Sequence, residues 1–169
     1  PVIVYNRKSQ EDVFISAVSL RRKLELEAVQ EQKNSGKYIR PIVLFQAQPR
    51  NNDDSTTYEK IKHTLMEMGI PESEIAIKTA DKDELKNIDL SSSDCNIRYI
   101  ITVNALKEGW DCPFAYILAT VANRTSSIDV EQILGRILRL PNTKKNKSEV
   151  LNLSYVITSS NAFYATLDK

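Results

Sequence analysis

The strongest constraint on the fold is a set of short apolar runs that do not alternate. "PIVLFQA" at 41–47 is apolar at nearly every position, and so are "IRYIITV" at 97–103, "AYILATVA" at 115–122 and "VLNLSYVIT" at 150–158. A strand with one wet face alternates polar and apolar side chains, whereas continuous β-branched runs suit strands covered on both faces, the habit of parallel sheets. "PVIVY" at the start and "EIAIKTA" at 74–80 read as further short strands.

Helical stretches separate these runs. From Ser9 to about Lys33, Val13, Ala17, Leu20, Leu24 and Ala28 recur at spacings of four and three, and Gly36 stops the pattern. Arg21, Arg22, Lys23, Glu25, Glu27 and Glu31 are read as its solvated face, with the basic triplet a weak candidate for phosphate contact. Thr56 and Glu59 have capping-box spacing before Tyr58, Ile61, Leu65 and Met68, and Gly69 closes that helix. His63 lies off the stripe and reads as a surface residue. "DKDELKNIDLSSSD" at 81–94 is expected to form a polar helix and loop, and Ser127 to Leu140 a clear helix. Strands alternating with helices predict an α/β fold: a mostly parallel sheet flanked by helices on both faces. Residues 1–40 supply an N-terminal strand and long helix leading into a domain at 41–169, in one compact unit. Starting at Pro1 without Met, the chain is expected to be a piece of a longer protein.

Composition narrows the function classes. Twenty-three basic side chains against 22 acidic ones leave a net charge of +1 over 169 residues, so nucleic-acid binding, if present, is local and not a bulk-charge effect. Cys95, Cys112 and the single His63 have no zinc-site spacing, so no metal site is expected. No apolar run reaches the roughly 18–20 residues that span a bilayer, which predicts a soluble cytoplasmic protein without a membrane partner.

In open parallel sheets ligands bind beyond the carboxyl ends of the strands, so the loops after Gln46, Val103 and Val121 are the places to search. "ITVNALKEGWDCP" at 101–113 turns through Gly109, which permits close approach, and Asp111, which can accept hydrogen bonds from ribose hydroxyls. "SSIDVEQILGRILRLP" at 126–141 is more specific. At about 100° per residue, Gln132, Arg136 and Arg139 share an arc of roughly 60°. Gly135 beside them costs about 1 kcal/mol relative to Ala inside a helix, which suggests a need for close approach. Two guanidinium forks next to an amide suit a polyphosphate, because guanidinium groups bind phosphate oxygens bidentately and stay charged.

"LKEGWDCP", then "EQILGRILRLP" about twenty residues later, preceded by "IRPIVLFQ", resembles the C-terminal RecA-like domain of superfamily 2 helicases. The likeness is greatest to the helicase (Res) subunit of type III restriction endonucleases and covers about residues 1–158. It implies a P-loop NTPase-like three-layer fold, here without the P-loop, and a role as second motor domain of an ATP-dependent DNA helicase or translocase. By the same resemblance Arg139 matches the arginine finger, Arg136 the other γ-phosphate contact and Gln132 the nucleotide-sensing residue. Gly109, Asp111 and Gly135 match nucleotide contacts. Thr102, Asn104, Gln46 and Gln48 match nucleic-acid contacts, although Val103 stands where many helicases carry a phosphate-binding Thr. The implied partners are double-stranded DNA, an upstream P-loop RecA-like domain that holds most of ATP and Mg²⁺, and a modification (methyltransferase) subunit.

The chain itself has no GxxxxGK[ST] loop, "DKDEL" differs from a DExx magnesium motif, and no nuclease constellation is present. The segment alone is therefore expected to be inactive. Rival readings are a motor domain of another superfamily 2 helicase without a nuclease, or a non-catalytic nucleic-acid-binding scaffold.

Overall fold

The computed structural model describes residues 2–47, 57–103, 112–121 and 145–159. Within them, strands β1 (Val2–Asn6), β2 (Ile42–Gln46), β3 (Ile75–Lys78), β4 (Tyr99–Thr102), β5 (Ala115–Thr120) and β6 (Ser154–Thr158) form a six-stranded sheet in the order β1-β6-β5-β2-β4-β3. Every pair of neighbours is parallel. This is the α/β, all-parallel arrangement that the unbroken apolar runs predict, and it is consistent with a RecA-like three-layer fold. The helix expected over 127–140 lies outside the described residues. β2 sits inside the sheet because nothing on it is polar before Gln46: Ile42, Val43, Leu44 and Phe45 are all 0% exposed. Removing one such side chain as far as Ala costs about 2–5 kcal/mol.

Helices α1 (Gln10–Ser35) and α2 (Tyr58–Glu67) connect the first three strands. Ser9 caps α1 by accepting from the Asp12 N–H, and Gly36 ends it at φ 77°, where a Cβ would be strained. Phe14 of α1 stacks on Phe45 of β2 at 5.1 Å, which fixes the sheet face that α1 covers. The N-cap of α2 is Thr57, one residue later than the capping-box spacing suggests, and its side chain makes no capping bond. Ile61 and Leu65 are the buried positions of that helix. His63 is on the surface and pairs with Glu67 at 2.7 Å.

Three expectations change. Arg21 and Glu31 are not on a solvated face of α1, being 4% and 2% exposed. Their spacing explains it, since Arg21 is four residues after Ala17 and Glu31 three after Ala28, so both continue the apolar stripe. Residues 81–94 form turns in place of a helix. Asp83 accepts from the Leu85 N–H at 3.0 Å, Asp89 from Ser91 at 3.0 Å, and Ser92 from Asp94 at 3.1 Å, so short polar side chains take the backbone donors that a helix needs. Buried Arg40 pins that turn region by donating to the carbonyls of Leu90, Ser92 and Ile97. Finally, the run at 150–158 begins as a 3-10 turn (Glu149–Asn152) before β6, because Asn152 donates to the Asn146 carbonyl and accepts from the Asn146 N–H.

Glu31 ties the chain ahead of that turn to α1. Its carboxylate accepts from the N–H groups of Ser148 at 2.9 Å and Lys147 at 3.2 Å and from the Ser35 hydroxyl at 3.0 Å. The Ser148 N–H, aided by Lys147, holds the carboxyl below its ordinary range against the opposing effect of burial. A carboxylate with a depressed folded-state value stabilises fully above its unfolded value and loses that contribution as pH falls through the folded one. In urea titrations Glu31→Gln is therefore expected to be less stable than wild type at pH 7, with the gap narrowing below about pH 4.3. A gap that stays constant from pH 7 to pH 3 contradicts this.

Candidate nucleic-acid interface at the carboxyl edge

Each strand of the sheet ends on a polar residue, and the register lines these residues up. Lys78 pairs with Thr102, Thr102 with Gln46, Gln46 with Thr120, Thr120 with Thr158, and Thr158 with Asn6. Register partners in a parallel sheet project to the same side, so the six side chains make one row along the carboxyl edge. They lie one residue past Phe45 and so on the face opposite α1.

The backbone along this row is well satisfied. Ala47 N–H donates to the Thr102 carbonyl at 2.8 Å, Val121 N–H to Gln46 at 3.2 Å and Arg7 N–H to Thr158 at 2.7 Å, while the Gln10 amide donates to the Val121 carbonyl at 3.2 Å. Two side-chain atoms in the row behave differently. Gln46 Oε1 and Thr102 Oγ1 are both buried without a hydrogen-bond partner among the described residues, and Thr102 is 0% exposed. Buried polar atoms are nearly always paired, so two neighbours in register that are not paired mark a place suited to an outside partner. A threonine hydroxyl donates and accepts, and a glutamine amide offers both kinds of group. Lys78, the row's only formal cation, is already engaged with Asp83 at 3.2 Å. The edge thus offers neutral hydrogen bonding more than charge, in keeping with the near-zero net charge of the chain.

Of the residues singled out in the sequence, the structure brings Gln46 and Thr102 together. Gln48, Asn104, Gly109, Asp111, Gln132, Gly135, Arg136 and Arg139 lie outside the described residues. In sequence the segments that carry them follow strands that end at this edge, residues 48–56 after β2, 104–111 after β4 and 122–144 after β5. Sequence reading missed Thr120, Thr158 and Asn6 as members of the row. The signal was present in that apolar runs such as "AYILAT" and "SYVIT" end on a hydroxyl.

At the other end of β5, Phe114 has φ 67°, in the left-handed region that bulky side chains avoid. It is held there by an edge-on contact with Tyr38 at 5.9 Å and by the Arg40 guanidinium 5.7 Å from its ring, and its carbonyl accepts from the Ile42 N–H at 2.8 Å. Cys112 is buried, which pushes its thiol up and leaves it unreactive as a nucleophile at neutral pH. Among the described residues no group of three His, Cys, Asp or Glu side chains could hold a metal ion, and no described helix is long and apolar enough to cross a membrane. No family model matches the chain, and no curated protein matches it.

The unpartnered hydroxyl gives a direct test of the geometry. Leaving a buried polar group unsatisfied costs about 1–3 kcal/mol, so Thr102→Val, which keeps the shape and removes the oxygen, is expected to raise stability by about 1 kcal/mol. Urea denaturation measures it, and a loss of stability of similar size would show that the hydroxyl has a partner.

Proposed function

We propose that this chain is the second motor domain of an ATP-dependent DNA helicase or translocase, most like the restriction subunit of a type III restriction enzyme acting in the cytoplasm. One observation carries the reading. The two motif-bearing segments leave the sheet at the carboxyl ends of β4 and β5, the strands that flank β2, beside the unpartnered pair Gln46 and Thr102. Ligands of open parallel sheets gather at that edge.

In this reading Gln46 and Thr102 hydrogen-bond the phosphodiester backbone and set its position without reading bases. Arg136 and Arg139 face the triphosphate held by an upstream P-loop domain, and Gln132, Gly109, Asp111 and Gly135 line the same cleft from this side. ATP with Mg²⁺ supplies the phosphoryl group whose transfer drives the motor. This chain's guanidinium groups complement the negative charge that builds on that group, with no reorganisation needed at the moment of reaction. The segment has no phosphate cradle of its own, so hydrolysis belongs to the paired domains.

An arginine finger is worth about 10³–10⁵ in turnover. Arg139→Ala in the parent protein is therefore expected to lower DNA-stimulated ATP hydrolysis by at least about 10³ in a phosphate-release assay, while filter binding still detects DNA on the protein. Turnover within a few-fold of wild type rejects the assignment.

A further inference from the structure

A second polar concavity lies at the amino edge of the sheet. It is an open cavity of ≈ 530 Å³ between the middle of α1, the connection from α2 to β3 and the start of β4. Three arginines, Arg21, Arg22 and Arg98, line it. Two carboxylates, Glu25 and Glu74, leave it with one net positive charge.

The arginines play different parts. Arg21 is buried and four of its five donors are used: Nε to the Tyr99 hydroxyl at 3.1 Å, Nη1 to Glu25 Oε1 at 3.2 Å and to the Pro41 carbonyl at 3.4 Å, and Nη2 to Glu25 Oε2 at 3.4 Å. Glu25 Oε1 also accepts from Arg98 Nε at 2.8 Å, so one carboxylate is shared by two guanidinium groups. Burial alone would raise the Glu25 carboxyl, but the hydrogen bonds from Arg21 and Arg98 outweigh it and keep the group ionised. Arg98 Nη1 donates to the Asn96 carbonyl at 3.0 Å, which fixes the plane of its guanidinium group. Arg22 is exposed and has no hydrogen-bond or ion-pair partner among the described residues. The buried Arg21 thus orders Glu25, Glu25 orders Arg98, and Arg22 supplies an uncommitted fork beside them. Ser73 and Asn96 are neutral polar residues that also line the cavity.

We infer that this amino-edge cavity binds a phosphate group, with Arg22 and the outer edge of Arg98 as its principal donors. Guanidinium forks match phosphate oxygens bidentately, and the Arg21–Glu25–Arg98 relay holds one of the forks before the ligand arrives. Glu74 limits the charge the cavity accepts and favours a singly charged phosphodiester or monoester edge over a highly charged anion. The site is at the opposite edge of the sheet from Gln46 and Thr102, and it stands independently of the motor reading.

Calorimetric titration of the 169-residue chain with inorganic phosphate and, in a second arm, with a short DNA duplex tests it at matched chloride concentration. Saturable binding of at least one probe is expected, weakened about tenfold or more by Arg22→Ala, which removes a charged bidentate donor. Lys23→Ala, an exposed neighbour on α1 that does not line the cavity, is expected to leave that binding unchanged. Binding of phosphate by itself assigns a free phosphoryl ligand, and binding of the duplex without free phosphate assigns a phosphodiester. No saturable binding of either, or equal weakening by Arg22→Ala and Lys23→Ala, overturns the site. Arg22 is exposed and makes no hydrogen bond or ion pair among the described residues, so its replacement does not confuse loss of binding with loss of structure.

Discussion

The fold depends on one constraint: a parallel strand covered on both faces must give every backbone donor and acceptor to its neighbours, because no water reaches it. β2 meets it by pairing with β4 on one side and β5 on the other, with four successive side chains wholly buried. The rest of the architecture serves this arrangement. α1 packs its apolar stripe on one face, the Arg40-pinned turns close the amino end of β2, and Glu31 holds the approach to β6 against α1. Among the described residues the buried charges are Arg21, Glu31 and Arg40, and each has several partners. Losing one partner therefore strands a charge and costs more than the surviving bonds suggest.

The same constraint explains why polarity collects at the strand ends. A residue inside the sheet cannot be polar without a partner, whereas a residue at the last rung lies where chains leave and ligands can enter. Six strands of different length and sequence all end on a polar side chain at the same rung. Thr120 and Thr158 are engaged there, and Gln46 and Thr102 keep an atom unpartnered. A structure optimised only for stability would place an apolar residue at a fully buried position such as 102. The retained hydroxyl is a local conflict of the kind that functional sites carry.

Much of this was legible in the sequence, for reasons that differ by element. The strands were readable because a β-branched apolar run of five or six residues has few other ways to bury itself. The ends of α1 were readable because Ser9 and Gly36 act through their own backbone geometry. Arg21 and Glu31 were misread because residue type was allowed to outweigh spacing: the positions belong to the buried stripe whatever side chain occupies them. The turns at 81–94 were misread because helical composition was counted while the Asx-type competition from Asp83 and Asp89 was not. Gln46 and Thr102 could be nominated from the sequence, but only the strand order makes them neighbours. That order puts β2 between β4 and β5, which are separated from it by long stretches of chain. The amino-edge cavity was illegible for the same reason. Arg22 and Arg98 are far apart in sequence, and their convergence follows from α1 crossing the sheet near the start of β4.

The two edges of the sheet consequently present different chemistry. At the amino edge the charges are numerous and largely tied to one another, so an incoming anion meets a preordered guanidinium group and one free fork at little reorganisation cost. At the carboxyl edge the row is neutral apart from Lys78, which Asp83 already engages, and its weak, directional hydrogen bonds can be made and broken repeatedly. A surface that must hold a phosphate in place gains from the first arrangement. One that must release a phosphodiester backbone and take hold of it again gains from the second, because a deep electrostatic well would slow every release. Among the described residues the amino edge ties its charges into a cluster while the carboxyl-edge row carries one cation, already paired, and such a division of roles requires that contrast.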